Sequence, residues 1–486
     1  MKTTQPPLSD ALLARSASTT LTEQLAQRYA ERIRQRLLAP GARLPSVRES
    51  ARRHGVSTST VVDAYDQLQA QGLVQARPQR GFFVRGDTPT APADPHGTPA
   101  RGRPAAPRPA PADATALIRS MFQAQGGLPA PGMGTLPEAW LDAPLLQRAL
   151  RRATTGDAAA ASWLRYGEPA GDAGLRTALS RHLRELGVHA AASQIVTTVG
   201  ATHALDIVSR TLLRPGDAVL VDEPGWAVEF ARLARLGMRV LPVPRGPDGP
   251  DLAVMETLLR EHRPRLYVTV SVLHNPTGAS LSPAAAHQVL RLAEAHELTL
   301  VEDDTYAWLA PPHATRLAQL DALRRTVYIS GFSKILSPQW RVGFVAAAPA
   351  LADKLIDTKL LSTLSTAAPL EQAVAWCLDQ GALRRHAGRV TSLLDAARGR
   401  CVHLATQAGC RFVAPPQGLF GWVDVGMDTE ALAQTLLDEG WLTAPGTLFH
   451  ATPRPSSLMR VNFATAQDTR FWQRLRRARA DTLRNN

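Results

Sequence analysis

Lysine is nearly missing from this 486-residue chain: against 55 basic residues in total, the lysines are Lys2, Lys334, Lys354 and Lys359. A chain that meets its charge needs with arginine has little reason to keep a lysine unless a primary amine is required. Amines form imines with carbonyl compounds, and guanidinium groups do not. Cysteine is equally scarce. Cys377, Cys401 and Cys410 are odd in number, widely spaced and outside any CxxC or histidine-rich pattern, which argues against a disulfide framework and a metal site and points to a reducing, cytoplasmic setting. No apolar run approaches a membrane span, and the start of the chain lacks the charged-then-apolar layout of a signal peptide. Acidic residues are outnumbered, leaving a formal charge of +13. Residues 1–87 hold 13 basic against 7 acidic side chains, a local surplus that favours a nucleic-acid partner.

What is present divides into three. Leu21, Leu25, Tyr29, Ile33 and Leu37 recur every four residues and predict an amphipathic helix, capped by Thr20 or Thr22 and stopped at Pro40-Gly41. Next, Ser46 and Ser57 are spaced to cap two short helices around a turn at Gly55, with Val61, Ala64, Tyr65 and Leu68 facing inward. This is a helix-turn-helix. Gly72-Leu73-Val74 and Gly81–Val84 then read as a two-stranded wing with a basic tip. The second helix would offer Ser57, Thr58, Ser59 and Thr60 to a major groove, with Arg48 and the wing residue Arg80 placed for phosphates or the minor groove. His54 reads as a turn residue rather than a ligand. Through "LPSVR", "GVSTSTV" and "AYDQL" the stretch resembles the winged helix-turn-helix of the GntR regulators, which implies a DNA-binding domain over residues 1–87. Residues 88–114 are rich in Ala, Pro and Arg and predict a semi-rigid linker, reaching roughly 80 Å when extended.

From residue 115 to 486, apolar strands alternate with helical patterns, as in a mostly parallel sheet with helices on both faces. Strands are expected at Ile195–Val199, Ala218–Val221, Val240–Val243, Leu266–Val270, Leu298–Val301, Val327–Ile329 and Phe344–Ala347. Ligand sites in such sheets lie past the carboxyl ends of the strands. Gly200-Ala201-Thr202 there would open a helix whose free amides suit a phosphate. Trp226 reads as core or as a ring for stacking, Asn275 as an amide donor, and Asp303 as a helix cap or as the carboxylate that keeps a pyridinium protonated, with Tyr306 close by. Lys334 and Arg341 follow the next strand. Taken alone, Lys334 could be a surface lysine; in this company the stretch reads as an anchor for pyridoxal 5'-phosphate (PLP).

Through "EPGW", "HNPTG", "EDDTY" and "SGFSK" followed by "RVG", this region resembles the fold-type I aminotransferases. The resemblance implies a smaller C-terminal α+β domain, PLP as cofactor and Lys334 as its covalent anchor. It further implies Asp303 on the ring nitrogen, Asn275 and Tyr306 on the ring hydroxyl, Trp226 on the ring face, and Gly200, Ala201, Thr202 and Arg341 at the phosphate. Relatives commonly carry Ser or Thr at the position of Gly331, so Ser330 or Ser333 is expected to replace that contact. Tyr166 matches a tyrosine that reaches the other subunit's phosphate, and Arg460 matches the arginine that clamps a substrate carboxylate. A GntR-type head ahead of such a domain is the architecture of the MocR/GabR regulators. It implies a homodimer that binds operator DNA and senses PLP or an amino-acid-like effector, with a working aminotransferase as the alternative.

Overall fold

The computed structural model describes residues 19–34, 38, 41–78, 80–85, 129–155, 164–452 and 454–485. The expected linker 88–114, Leu37 and Pro40 lie outside them. The chain separates into two compact units, Met1–Pro129 and Ala130–Asn486.

In the first unit, α1 (Leu21–Arg34) starts at a reciprocal cap. Glu23 N donates to Thr20 Oγ1 and Thr20 N to the Glu23 carboxylate, so Thr20 rather than Thr22 is the cap. Helices α2 (Val47–His54) and α3 (Thr58–Ala70) are capped by Ser46 and Ser57, and Gly55 makes the turn at φ 64°, a conformation that favours glycine. The wing pairs β1 (Val74–Arg77) with β2 (Gly81–Val84) antiparallel, Val74 opposite Val84. Its first strand begins later than the pattern suggested, because Gly72 has φ 71° and belongs to the turn. Leu25, Tyr29, Val61, Ala64, Tyr65 and Leu68 form one buried core, with the Tyr29 and Tyr65 rings edge-on at 5.6 Å. Burial of each of the larger aliphatic side chains contributes about 1.5–3 kcal/mol.

The second unit is built on a seven-stranded sheet of order β3-β9-β8-β7-β6-β4-β5. Its strands are β3 (Ile195–Thr198), β4 (Ala218–Glu223), β5 (Arg239–Pro244), β6 (Leu266–Thr269), β7 (Thr299–Asp303), β8 (Thr326–Gly331) and β9 (Gly343–Ala346). All seven expected strands are present. β4 to β8 run parallel, whereas β9 is antiparallel to both its neighbours. The connection from β8 to β9 is too short for the helical crossover that a parallel pair needs, so the chain reverses there. That tight return carries Lys334 and Arg341. β6 and β8 are buried along their whole length, as expected when helices cover both faces.

The helices of this unit are α4 (Ala143–Thr154), α5 (Ala173–Glu185), α6 (Gly200–Leu212), α7 (Ala227–Arg235), α8 (Leu252–His262), α9 (Pro283–Ala295), α10 (Leu317–Asp321), α11 (Pro349–Thr363), α12 (Ala368–Asp379), α13 (Ala382–Gln407), α14 (Thr429–Asp438) and α15 (Thr469–Asn485). A second, antiparallel sheet, β10 (Arg411–Phe412), β11 (Phe420–Asp424), β13 (Leu458–Asn462) and β12 (Ala444–Pro445) in spatial order, forms the C-terminal α+β part and places Arg460 on β13. Among the described residues no helix is long and apolar enough to cross a membrane, and no cluster of three or more His, Cys, Asp or Glu could hold a metal.

Candidate functional site

The carboxyl ends of β4, β6, β7 and β8, the start of α6 and residue 460 converge on one buried, mostly cationic centre. The Lys334 amine donates to Gly134 O at 2.7 Å. Burial pushes its pKa down to about 8; Arg460 and Arg341 add to that, and Asp303 opposes them. Asp303, the last residue of β7, accepts from the amide of Thr305 at 3.1 Å and from its hydroxyl. Burial raises this carboxyl to about 6 against the bonds from Thr305. Tyr306 is buried edge-on to Phe420 at 5.5 Å, and burial lifts its phenol well above the usual range. Trp226, half-buried, immediately precedes α7.

Arg460 is the decisive residue. It is 4% exposed and donates to Asn275 Oδ1 (2.8 Å) and Gly132 O (2.7 Å), while the Phe420 and Phe449 rings lie 4.5 and 5.0 Å from its guanidinium carbon. Its Nε has no hydrogen-bond partner, and no carboxylate pairs with it among the described residues. Burial lowers its pKa to about 10. An unpaired buried cation is costly, which makes this a place for an anionic ligand. Asn275, its oxygen occupied by Arg460, keeps its amide NH2 for another acceptor.

Residues distant in sequence meet at the start of α6, where a phosphate was expected. Gly200 opens α6 at φ 77°, and the first amides of a helix have no intrahelical partner. Arg341, itself at φ 50°, donates to Ser333 Oγ (2.9 Å) and Val199 O (3.3 Å). Its guanidinium covers Gly200 so closely that a Cβ there would lie 2.4 Å from Nη2. Gly343 packs from β9, where a Cβ would lie 2.6 Å from the Gly200 carbonyl carbon and 2.9 Å from Ala201 N. Of the two serines weighed for this cradle, Ser333 joins it through Arg341. Ser330 does not, because its hydroxyl points into the sheet and donates to Asp304 O at 2.8 Å.

This set fits PLP: a cradle of amides and arginine for phosphate, an amine for the aldehyde, a buried carboxylate for the ring nitrogen, and a free amide and phenol for the ring oxygen. Tyr166 stands apart. It is 86% exposed, near the similarly exposed Leu164, and is not brought to the other site residues of its own chain. Gly132, Gly134, Phe420 and Phe449 escaped the sequence reading, and Gly343 entered it only as a letter of "RVG". No local signal marks them, since each matters only through what folding places beside it.

On the head, Arg48, Thr58 and Ser59 are exposed on α2 and α3, and Arg80 is exposed at the wing tip. Ser57 is exposed too, but its hydroxyl caps α3 and bonds Ser59 and Thr60. Thr60 is half-buried behind it. His54, expected in the turn, is the last residue of α2 instead and packs edge-on to Tyr29.

Residues 134–475 match the family Aminotransferase class I and II, and residues 21–84 match Bacterial regulatory proteins, gntR family. The chain is 30% identical to the uncharacterized HTH-type transcriptional regulator YdcR of Escherichia coli, over 91% of this chain and 94% of that one. It is 27% identical to the probable rhizopine catabolism regulatory protein MocR of Rhizobium meliloti, over 92% and 91%. It is also similar to the alpha-aminoadipate aminotransferase LysN of Thermus thermophilus, solved with N-(5'-phosphopyridoxyl)-L-leucine: 26% identity and TM-score 0.68, over 76% of this chain and 95% of that one.

Proposed function

The chain belongs to the aminotransferase class I and II family and carries a gntR-family head, and from that premise we propose that it is a PLP-dependent, DNA-binding transcriptional regulator of the MocR type. The observation that carries this reading is the union, in one chain, of a helix-turn-helix with a domain that carries Lys334, Asp303, Asn275, Tyr306 and Arg341 at or just past its strand ends. Bound PLP supplies an aldehyde for amines and an electron-withdrawing ring. Lys334, one-tenth neutral at pH 7 if its pKa is about 8, would hold the cofactor through its amine. Asp303 keeps a proton on the ring nitrogen. Asn275 and Tyr306 orient the ring oxygen, Trp226 covers the ring, and Gly200, Ala201, Thr202, Ser333 and Arg341 hold the phosphate.

Arg460 then selects the effector. Its unpaired guanidinium accepts a planar carboxylate in a bidentate pair, which leaves the effector's amine directed at the cofactor. Effector binding biases the dimer between arrangements that differ in affinity for operator DNA. Arg48, Thr58, Ser59 and Arg80 make the contacts of the head. Tyr166, exposed on each subunit, reaches the partner's phosphate and couples cofactor to dimer. The domain limits follow as 1–87 for the head, 88–114 for the linker and 115–486 for the PLP domain. Three free, buried thiols suit a reducing cytoplasm.

A second reading, an active aminotransferase with a secondary head, is favoured by the retention of Lys334, Asp303 and Arg460 together. Turnover with amino donors and keto acids separates the two. A regulator should turn over far below the roughly 1–10³ s⁻¹ usual for enzymes and should bind DNA upstream of its target genes in an effector-dependent way. Turnover within that range, with no DNA sequence preference, makes the enzyme the better reading.

A further inference from the structure

The cofactor lies at the carboxyl ends of the strands; the opposite edge of the same sheet has a distinct chemistry. Backbone bonds set the starts of the parallel strands side by side: Arg239 N donates to Asp217 O, Arg265 N to Ala218 O, Thr299 N to Arg265 O and Leu300 N to Arg325 O. Across the order β5-β4-β6-β7-β8, an arginine therefore stands at the start of every second strand: Arg239, Arg265 and Arg325. At about 4.8 Å per strand the row spans about 19 Å, over which one DNA strand presents about five or six phosphates at about 3.4 Å each.

The same short loops add Arg214, Arg263 and Arg324, so they hold six arginines against two carboxylates, Asp217 and Glu297. Asp217 already accepts from the amide of Arg214 at 2.8 Å. Of the six, Arg324 alone has an ion partner among the described residues, Asp321 at 3.8 Å, and its side chain is 75% exposed. The exposed Arg181, Arg210 and Arg384 of this unit are, by contrast, paired with Asp379, Asp206 and Glu185. A groove between α9 and residues 313–325, lined by His287, Arg291 and His313 together with Glu294 and Asp321, meets this edge at Arg324 and Arg325.

We propose that this edge is a second DNA interface, which binds backbone phosphates without sequence preference beyond the base pairs that the heads read. The partner is a polyanion because the surplus charge is unpaired and arranged in a line. It is duplex DNA because the same chain carries a helix-turn-helix; the proposal rests on that reading. Each arginine that neutralises a phosphate releases counterions and steepens the salt dependence of binding by about 0.9 in log K against log salt.

The experiment uses full-length, PLP-loaded protein, a duplex from upstream of its own coding sequence and a random-sequence duplex of equal length, each titrated over a salt series. The triple variant R239Q/R265Q/R325Q should reduce the slope by about 2 to 3 on both duplexes, with unchanged PLP absorbance as proof of an intact fold. The variant R385Q/R476Q/R477Q, which removes equal charge from exposed positions on α13 and α15, should leave the slope unaltered. Slopes that do not change in the first triple, or that fall equally in both, overturn the proposal and leave the regulator reading standing. A wild type that binds neither duplex at low salt overturns both.

Discussion

Two residues carry the chemistry at the smallest scale, and both were legible as letters. Lys334 stood out because lysine is so rare. Its environment adds something that the sequence could not supply: burial lowers its pKa to about 8. The sign follows directly. The neutral amine is the nucleophile, so uptake of PLP by the apo-protein should accelerate as pH rises through about 8 and level off above it. Stopped-flow absorbance checks this, and a midpoint near the ordinary lysine value of about 10.4 would refute it. Lys334→Ala should retain no PLP after borohydride reduction and dialysis. Arg460 was identified by its match to a carboxylate clamp, but its burial without a carboxylate partner among the described residues is a property of the fold. Arg460→Ala should keep PLP, since none of the phosphate cradle is touched, while weakening response to carboxylate-bearing amino compounds by roughly 30-fold or more, as truncating a buried charge pair implies. Equal response to amines lacking a carboxylate, read as a spectral change of bound PLP, would rule out that role.

At the scale of elements, periodicity and caps located most pieces. The serine caps, the glycine turn and the inward face of α3 followed from residue types whose preferences are local. Local signals failed where two elements meet. Nothing in "RVGFV" says that Gly343 must lack a side chain, yet it sits against Gly200 and Ala201 at the start of α6. Gly343→Ala should therefore push that backbone away from Arg341 and weaken PLP binding, measured by equilibrium dialysis, by more than Ser333→Ala does. The Ser333 hydroxyl touches the cradle only through one bond to Arg341. Equal affinities would show that the close approach has no bearing on the cofactor. Ser330 teaches the same lesson in reverse. The two serines are close in sequence, but Ser330 is still on β8 and donates to Asp304 O, whereas Ser333 lies past the strand end, where Arg341 reaches it.

For the molecule as a whole, the exposed Tyr166 and Leu164, together with Leu361 at 92% exposure, predict that the PLP domains associate. Large apolar side chains this accessible mark interaction surfaces when they cluster. Sedimentation should give about twice the 52.4 kDa of one chain. Tyr166→Ala should weaken PLP binding without touching any other site residue of its own subunit, and a monomeric wild type at working concentration would exclude the shared site. Two heads on one dimer then bind two half-sites with an affinity that neither reaches alone, so the footprint on DNA should cover two half-sites and shift when effector is added.

The sequence by itself determined the order of parts: a helix-turn-helix with a wing, an alternation of strands and helices, and the chemical inventory at each strand end. These are legible because caps, turns and periodicity depend on neighbours only a few residues apart. The tertiary structure alone decided which groups lack partners. That Arg460 is buried without a carboxylate, that Asp303 is raised toward 6, that Gly343 must be small and that arginines align on every second strand start all arise from residues tens to hundreds of positions apart. Burial and Coulomb interactions act through space, and chain spacing does not encode them.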